Sequence, residues 1–301
     1  MKDFIPHLLM IACQAGKAIL NVYNKEFDIT YKDDMSPLTI ADKRSNGIIV
    51  KHLSMLPLNQ FPILSEEGKC IPYDETKAWE YFWLVDPLDG TKEFIKRNGE
   101  FTVNIALIHG GRPVIGLIYI PVRDIFYFAA NGLGAYKLQN SKVFEILNKK
   151  SGDKRELLQK IINNSTKLLL NHSTTEPINH INIIGSSSHA TSEQEDFVKE
   201  IKKKISKVNF ISAGSSLKFC LVAEGLADIY PRFGPTMEWD TAAGQAIVEQ
   251  AGGYVMDVVS KESLRYNKSN LMNPWFIAGK RDMVKTVEQS YLPQILNMPF
   301  E

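Results

Sequence analysis

Two acids, Asp86 and Asp89, follow directly on an apolar segment and are separated only by a proline and a leucine. The apolar residues 81–85 predict a short buried strand. The proline fixes its own backbone and the glycine after Asp89 is a turn signal, so both carboxylates can converge from one loop with the Leu88 carbonyl between them. Hard oxygen ligands of this kind suit magnesium. Taken alone, the pattern is more often a surface turn.

Three further acids lie where a strand ends or a helix begins. Glu66 follows a short apolar strand, Asp240 lies in the first turn of a helix, and Asp42 lies where another helical pattern starts. Individually, Asp42 is more simply a helix cap and Glu66 a turn residue. Together, Glu66, Asp86, Asp89 and Asp240 supply four carboxylates from three segments, and they would repel one another without cations.

This acid set predicts metal-assisted chemistry on a phosphate. Two divalent ions roughly 3.5–4 Å apart would offset the repulsion, hold a phosphate, generate hydroxide from water and neutralise a leaving oxygen. The backbone N–H groups of Gly90 and Thr91 at a helix start could cradle phosphate oxygens. The Thr91 hydroxyl could orient the attacking water, with Asp42 accepting the proton.

Composition indicates an ordinary soluble globular protein. The 301 residues are 44% hydrophobic and 23% charged, and we expect two lobes, 1–150 and 151–301, the first carrying most of the acids. The formal net charge is +1, with 35 basic residues scattered among 34 acidic ones, which argues against a nucleic-acid polymer as partner. Cys13, Cys70 and Cys220 are far apart and odd in number, so we expect neither a disulfide framework nor a zinc site.

The N-terminal segment predicts neither a signal peptide nor a transmembrane helix. Asp3 and Pro6 interrupt the apolar core that a signal peptide needs, and no run reaches about 18 apolar residues. A strongly basic amphipathic helix, which would favour binding to a membrane surface, is not visible either. We therefore expect a cytoplasmic protein.

The elements that must position the acids fall into two halves. In the first, apolar periodicity predicts a helix over 4–24 and another starting at Asp42, followed by hairpins of strands 101–109 with 114–120 and 125–130 with 135–138. In the second, strands at 182–185, 207–211 and 227–230 alternate with helices at 193–205, 215–223 and 239–250. Such alternation predicts an α/β lobe. The stretch 140–180, rich in lysine and asparagine, is interpreted as a connector.

Four motifs carry a resemblance that covers nearly the whole chain. They are Lys32-x-Asp34-x-Ser36-Pro37-Leu38-Thr39-x-Ala41-Asp42, Ser65-Glu66-Glu67, Asp86-Pro87-Leu88-Asp89-Gly90-Thr91 and Trp239-Asp240-Thr241-Ala242-Ala243-Gly244. In this order they resemble the lithium-sensitive, magnesium-dependent phosphatases of the inositol monophosphatase superfamily. Residues 91–106 and 214–225 resemble, within it, the branch of 3'(2'),5'-bisphosphate nucleotidases. The stretch 140–180 is longer than expected for that branch and leaves the lobe boundary open.

The resemblance implies a fold and a set of roles. The fold would be α/β, a layered αβαβα sandwich. Two or three Mg²⁺ ions would be held by Glu66, Asp86, the Leu88 carbonyl, Asp89 and Asp240. Asp42 and Thr91 would activate the water, which Glu66 would also hold through a metal.

Substrate recognition rests on the second half of the chain. A bisphosphorylated nucleotide needs a second anion site, which Lys218 and Arg232 are placed to provide. The segment Ser186-Ser187-Ser188-His189 resembles the turn that meets the nucleotide in that branch. The implied substrate contacts are Glu66, Leu88, Asp89, Gly90, Thr91, His189, Ser215, Lys218, Arg232 and Asp240. Alone, Lys218 is more often a solvated helix residue and His189 a surface or capping histidine.

The resemblance thus implies a phosphomonoesterase that removes the 3'-phosphate of adenosine 3',5'-bisphosphate to give AMP, and that acts on 3'-phosphoadenylyl sulfate as well. An inositol-1-phosphate or broad sugar phosphatase is the alternative of the same class, and a non-catalytic phosphonucleotide-binding regulator is the alternative of another. The partner is a small-molecule nucleotide, and the chain would be a monomer or a homodimer. Relatives also suggest peripheral attachment to the cytoplasmic side of the inner membrane.

Overall fold

The structure is a computed structural model that describes residues 1–31, 37–56, 60–141, 143, 146, 154–170, 179–186 and 191–290. The helices are α1 (Ile5–Tyr23), α2 (Ile40–Ser54), α3 (Tyr73–Thr76), α4 (Thr91–Ile95), α5 (Lys154–Asn163), α6 (Ser192–Lys204), α7 (Leu217–Ala223), α8 (Glu238–Gln250) and α9 (Arg281–Ser290). The strands are β1 (Ile29–Tyr31), β2 (Pro37–Thr39), β3 (Ile63–Ser65), β4 (Tyr81–Asp89), β5 (Thr102–His109), β6 (Arg112–Ile120), β7 (Ile125–Ala130), β8 (Gly134–Gln139), β9 (Thr166–Leu168), β10 (His180–Gly185), β11 (Lys207–Ser212), β12 (Ile229–Arg232), β13 (Gly253–Asp257) and β14 (Phe276–Lys280).

The larger sheet has the strand order β3-β4-β5-β6-β7-β8-β9. β3 and β4 run parallel and the other neighbours are antiparallel, which confirms the two predicted hairpins. Gly110 and Gly111 turn the chain between β5 and β6 with φ of 56° and 73°, a left-handed conformation that glycine adopts without strain. β9 lies in the stretch interpreted as a connector and pairs with β8 at the edge of this sheet. The division of the chain into two lobes at residue 150 stays a prediction.

The smaller sheet has the strand order β11-β10-β12-β14-β13. β10 runs parallel to both β11 and β12, as the alternating strands and helices of the second half predict. β12, β14 and β13 pair antiparallel. The sequence pattern assigned no element after residue 253, so β13, β14 and α9 are additions that the structure supplies.

In the described part of the chain, three apolar clusters hold five layers of helices and sheets together. The first packs α1, α2 and α5 on one face of the larger sheet. The second lies between the two sheets and is built largely from α7 and α8. The third packs α6 and α9 on the outer face of the smaller sheet. The predicted αβαβα sandwich is therefore confirmed.

Two glycines let α8 approach its neighbours closely. A Cβ at Gly116 of β6 would lie 2.4 Å from the carbonyl oxygen of Ala243, and one at Gly244 would lie 2.3 Å from the ring of Phe219. Real side chains cannot occupy these positions without displacing the backbone or the ring. The close packing places the N-terminal turn of α8 beside the loop that ends β4.

The N-terminal helix is a core helix of this protein. Residues Lys2–Tyr23 are long and apolar enough to span a membrane by composition, with a mean hydropathy of 1.3, yet 61% of their most apolar 18-residue window is buried within the protein. Leu8, Leu9 and Ile19 are fully buried in the first cluster. Burial of this kind is what a helix packed on a sheet requires, and it confirms the predicted amphipathic helix.

Candidate active site

β4 ends in a bulged loop that carries two of the predicted acids. Between Asp86 and Asp89 the chain advances three residues along β4, whereas the paired residues of β5 are only two positions apart. β4 therefore contains one extra residue between the two acids. The hydroxyl of Ser45 on α2 donates to the Pro87 carbonyl over 2.6 Å. The N–H of Leu88 donates to Asp86 Oδ1 over 3.0 Å. The loop is thus fixed both by the first layer and by its own acid.

Glu66, Asp86 and Asp240 meet although they are far apart in sequence. One carboxylate oxygen of each lies within 4.8 Å of the others. Glu66 directly follows β3, and because β3 runs parallel to β4 their carboxyl ends share one sheet edge. Asp240 is the third residue of α8, where its Oδ2 accepts a 2.8 Å hydrogen bond from the Met237 N–H. This capping interaction fixes the third carboxylate of the group.

Burial and mutual repulsion both disfavour the ionised forms of the carboxylates in this group. Burial raises the pKa of Asp86 well above its usual range, and the charges of Glu66, Asp89 and Asp240 raise it further. Burial also raises the pKa of Asp240 well above the usual value, with Asp89 as the next cause. A divalent cation would relieve both effects, since it favours ionised carboxylates and prefers hard oxygen ligands. The three acids therefore fit a metal ion.

Asp89 lies at the same end of the cleft but is held differently. Its Oδ2 accepts hydrogen bonds from the Ser216 N–H over 2.6 Å and from the Ser216 hydroxyl over 2.7 Å. The Asn104 amide is a further donor at 3.3 Å. The Ser216 hydroxyl also lies 2.7 Å from the carbonyl oxygen of Asp240. Ser216 thus connects the loop after β4 with the start of α8.

Asp42 and Thr91 form a pair beside these acids. Asp42 Oδ2 accepts from the N–H of Thr39 over 2.8 Å and from its hydroxyl over 2.7 Å, so the helix cap suggested by the sequence is present. Asp42 Oδ1 accepts from the Thr91 hydroxyl over 3.2 Å. Burial raises the pKa of Asp42, while hydrogen bonds from Thr39 and Thr91 partly oppose that rise. Gly90, with φ of 90°, directs the chain into α4 at Thr91.

Glu66, Asp86, Asp89 and Asp240 line a cleft of about 280 Å³, and Lys218 lines the same cleft. Lys218 is only 5% exposed, and its Nζ lies 3.3 Å from the Ala213 carbonyl and 5.4 Å from the centre of the Tyr230 ring. Burial lowers the pKa of Lys218 to about 8, although the nearby Asp89 carboxylate opposes the shift. The ammonium is therefore poorly solvated and available to an anion in the cleft.

Arg232 lines the same cleft from the end of β12. Its Nη2 donates to the Pro235 carbonyl over 2.9 Å. Its Nε is buried and has no hydrogen-bond partner among the described residues. Since buried donors are normally paired, this atom also suits an incoming anion.

Ser215 precedes α7 in a left-handed conformation with φ of 44°. Its hydroxyl donates to the Glu100 carbonyl over 2.5 Å, and the Gly214 N–H donates to the Glu100 carboxylate over 2.8 Å. Glu100 therefore holds the turn from which Ser216 reaches Asp89. The Ser215 hydroxyl can still accept a hydrogen bond from a ligand.

The structure brings most of the predicted residues to one cleft. Lining it are Glu66, Asp86, Leu88, Asp89, Gly90, Thr91, Ser215, Lys218, Arg232 and Asp240. Asp42 accepts a hydrogen bond from Thr91, which lines the cleft. His189 lies outside the described residues. Sequence reasoning missed Ser216 and Tyr230, which also line the cleft. The doubled serine before Lys218 was the available signal for the first, whereas Tyr230 has no sequence signal beyond its nearness to Arg232.

The sequence matches a known protein family and individual proteins over most of its length. The model of the inositol monophosphatase family matches residues 2–289. The chain is 40% identical over 274 residues to the 3'(2'),5'-bisphosphate nucleotidase CysQ of Shigella flexneri, covering 90% of this chain and 98% of that protein. CysQ of Escherichia coli K12 is 39% identical with the same coverage.

Solved structures also resemble this chain over nearly its whole length. The crystal structure of CysQ from Bacteroides thetaiotaomicron is 46% identical and matches with a TM-score of 0.78, covering 92% of this chain and 98% of that one. An inositol monophosphatase of Thermotoga maritima matches with a TM-score of 0.72 over 98% of both chains. At 18% identity, the second likeness is one of fold alone.

Proposed function

The chain belongs to the inositol monophosphatase family, and we propose that it is a metal-dependent phosphomonoesterase that converts adenosine 3',5'-bisphosphate to AMP and phosphate. One observation carries the proposal: three mutually repelling carboxylates and two basic side chains line one cleft. The names of the relatives at 39–40% identity support the same substrate class. By the same chemistry, 3'-phosphoadenylyl sulfate would be a second substrate.

The acids would hold the cofactor. The proposed ligands of two or three Mg²⁺ ions are Glu66, Asp86, the Leu88 carbonyl, Asp89 and Asp240. When bound, magnesium would stabilise negative charge on the phosphate and acidify water. The raised pKa values of Asp86 and Asp240 support this assignment, because burial without a cation disfavours their ionised forms.

Thr91 and Asp42 would handle the proton of the attacking water. The Thr91 hydroxyl donates to Asp42 Oδ1, which leaves its oxygen lone pairs to accept from water. As the water oxygen attacks phosphorus, the water proton passes to Thr91 while the Thr91 proton passes to Asp42. The bond to the ribose 3'-oxygen breaks, and this oxygen takes up a proton from solvent to become the 3'-hydroxyl of AMP. The raised pKa of Asp42 makes it a stronger base than an exposed aspartate.

Lys218 and Arg232 would bind the second phosphate. Both line the cleft, the first as a buried ammonium and the second with a buried Nε that no described residue bonds. Two cations near one anion give charge-assisted hydrogen bonds, which are about twice as strong as neutral ones. Gly90, Ser215 and His189 are proposed to contribute further substrate contacts.

The proposal is tested by phosphate release from adenosine 3',5'-bisphosphate and from inositol 1-phosphate, with magnesium and with chelator, on the wild type and on Lys218→Ala. We expect magnesium-dependent hydrolysis that favours the nucleotide and loses that preference in the variant. Equal rates on both substrates, unchanged in Lys218→Ala, would instead identify a broad or inositol phosphatase. Tight nucleotide binding without hydrolysis would identify a non-catalytic regulator.

Three finer points are part of the proposal. The preferred ion is Mg²⁺, which metal titration of activity with a series of divalent ions tests. The protein is a monomer or a homodimer, which analytical ultracentrifugation distinguishes. A cytoplasmic location and attachment to the inner membrane stay predictions, which cell fractionation tests.

A further inference from the structure

Tyr230 is a buried residue of the cleft. The proposed function gives roles to the acids and to the two basic side chains, but none to Tyr230. It is 4% exposed and lines the cleft beside Lys218 and Arg232. Its ring packs edge-on against Phe219 at 5.2 Å and against Phe276 at 5.4 Å, measured between ring centres. The Lys218 ammonium lies 5.4 Å from the ring centre. These contacts fix the ring, and therefore the direction of its hydroxyl.

The hydroxyl of Tyr230 has no hydrogen-bond partner among the described residues. The other buried tyrosines of the described chain are all bonded: Tyr119 to Asp124, Tyr127 to Glu224, Tyr136 to the Leu133 carbonyl and Tyr266 to Gln245. The Tyr230 oxygen is also absent from the buried side-chain atoms that lack a partner, so the hydroxyl is accessible although the ring is buried. Tyr230 differs from the others in lining the cleft, where a ligand can be that partner.

The charges around the hydroxyl indicate what kind of ligand it meets. Burial raises the pKa of Tyr230, Arg232 opposes the rise, and Asp89 and Asp240 add to it. The phenol therefore stays protonated at any pH the enzyme meets, and it can donate a hydrogen bond. Tyr230 lines the same cleft as Lys218 and Arg232, and its ring centre lies 5.4 Å from the Lys218 ammonium, so the residue is close to the proposed position of the second anion.

We propose that the Tyr230 hydroxyl donates a hydrogen bond to the second phosphate of the substrate, the one that is not hydrolysed. This inference rests on the proposed function. Lys218 and Arg232 supply charge to that phosphate, whereas Tyr230 supplies a neutral donor in a fixed direction. The residue would thus select for a bisphosphorylated nucleotide over a singly phosphorylated one.

Tyr230→Phe tests the proposal, because it removes the hydroxyl and retains the ring that packs on Phe219 and faces Lys218. The substrates are adenosine 3',5'-bisphosphate and adenosine 3'-monophosphate, which lacks the second phosphate. We expect kcat/KM for the bisphosphate to fall about tenfold, the value for the monophosphate to stay within about twofold, and the melting temperature to stay unchanged. Calorimetry should show a similar loss of affinity for the product AMP, which retains the second phosphate.

Lys218→Ala, measured in parallel, separates the inference from the proposed function. If it abolishes the wild-type preference for the bisphosphate while Tyr230→Phe leaves that preference and AMP binding intact, the tyrosine inference is wrong and the second-phosphate site stands. Equal losses on both substrates in Tyr230→Phe would also overturn the inference, because the hydroxyl would then act on a part that both share. If the wild type does not hydrolyse the bisphosphate, the proposed function fails, and AMP binding alone decides the role of Tyr230.

Discussion

Replacing Ser216 with alanine should weaken magnesium binding without disrupting the fold. The change removes the 2.7 Å hydroxyl contact to Asp89 but keeps the 2.6 Å bond from the backbone N–H of the same residue. A hydrogen bond to a charged group contributes about 1.5–3 kcal/mol. Because the backbone donor remains and the Asn104 amide at 3.3 Å can move closer, we take the lower end of that range. The dissociation constant for magnesium should then rise about tenfold.

Calorimetric titration with magnesium measures this change directly, in the absence of substrate. Phosphate release as a function of magnesium concentration provides the second assay, and we expect high magnesium to restore most of the wild-type kcat. Ser54→Ala is the matched control, since its exposed hydroxyl donates only to the nearby Lys51 carbonyl at the end of α2. This control should bind magnesium as the wild type does.

Two results would refute the reasoning. Unchanged magnesium affinity in a folded Ser216→Ala protein would mean that the hydroxyl does not position Asp89 for the metal. A loss of kcat that no magnesium concentration restores would mean that Ser216 acts on the substrate or on the reaction itself.

Three further experiments have expected outcomes, and the second compares two glycine substitutions. The ratio of kcat/KM for adenosine 3',5'-bisphosphate to that for adenosine 3'-monophosphate should fall as pH rises through about 8, because the lowered pKa of Lys218 makes its ammonium neutral there. Gly116→Ala should lower the free energy of unfolding in urea by about 1–3 kcal/mol through a clash with α8. Gly47→Ala, in α2 with no atom of the described residues within 4 Å of the new methyl group, should raise it by about 0.5–1 kcal/mol. The rise in melting temperature caused by magnesium should shrink as pH falls, since the raised pKa values of Asp86 and Asp240 let protons compete with the cation.

Each of these outcomes has a contrary result. A substrate ratio that does not change with pH, or that changes equally in Lys218→Ala, would remove the lysine from second-phosphate binding. Equal effects of the two glycine substitutions on unfolding would mean that α8 can shift away from β6. A magnesium-induced stabilisation that is constant down to about pH 4 would exclude Asp86 and Asp240 as the competing groups.

The sequence predicts the local elements well because their apolar periodicity reflects the faces they bury. The hairpins of β5 with β6 and of β7 with β8 follow from strand patterns joined by glycine turns. β9 could not be identified in the same way, because three residues carry too little pattern and its pairing with β8 depends on tertiary contacts. The segments after residue 253 likewise become strands through the partners they find in the smaller sheet.

Sequence motifs also cannot predict which oxygens of the acids are available to a cation. In the sequence, Asp86 and Asp89 are equivalent members of one loop. In the structure, Asp86 faces Glu66 and Asp240, whereas one oxygen of Asp89 is occupied by a serine 127 positions later in the chain. A motif therefore identifies which side chains can bind a cation, but hydrogen bonds from distant segments decide which oxygens are free to do so. For that reason Ser216, which no acid motif includes, is as important to the proposed metal site as the acids, because it occupies one oxygen of Asp89.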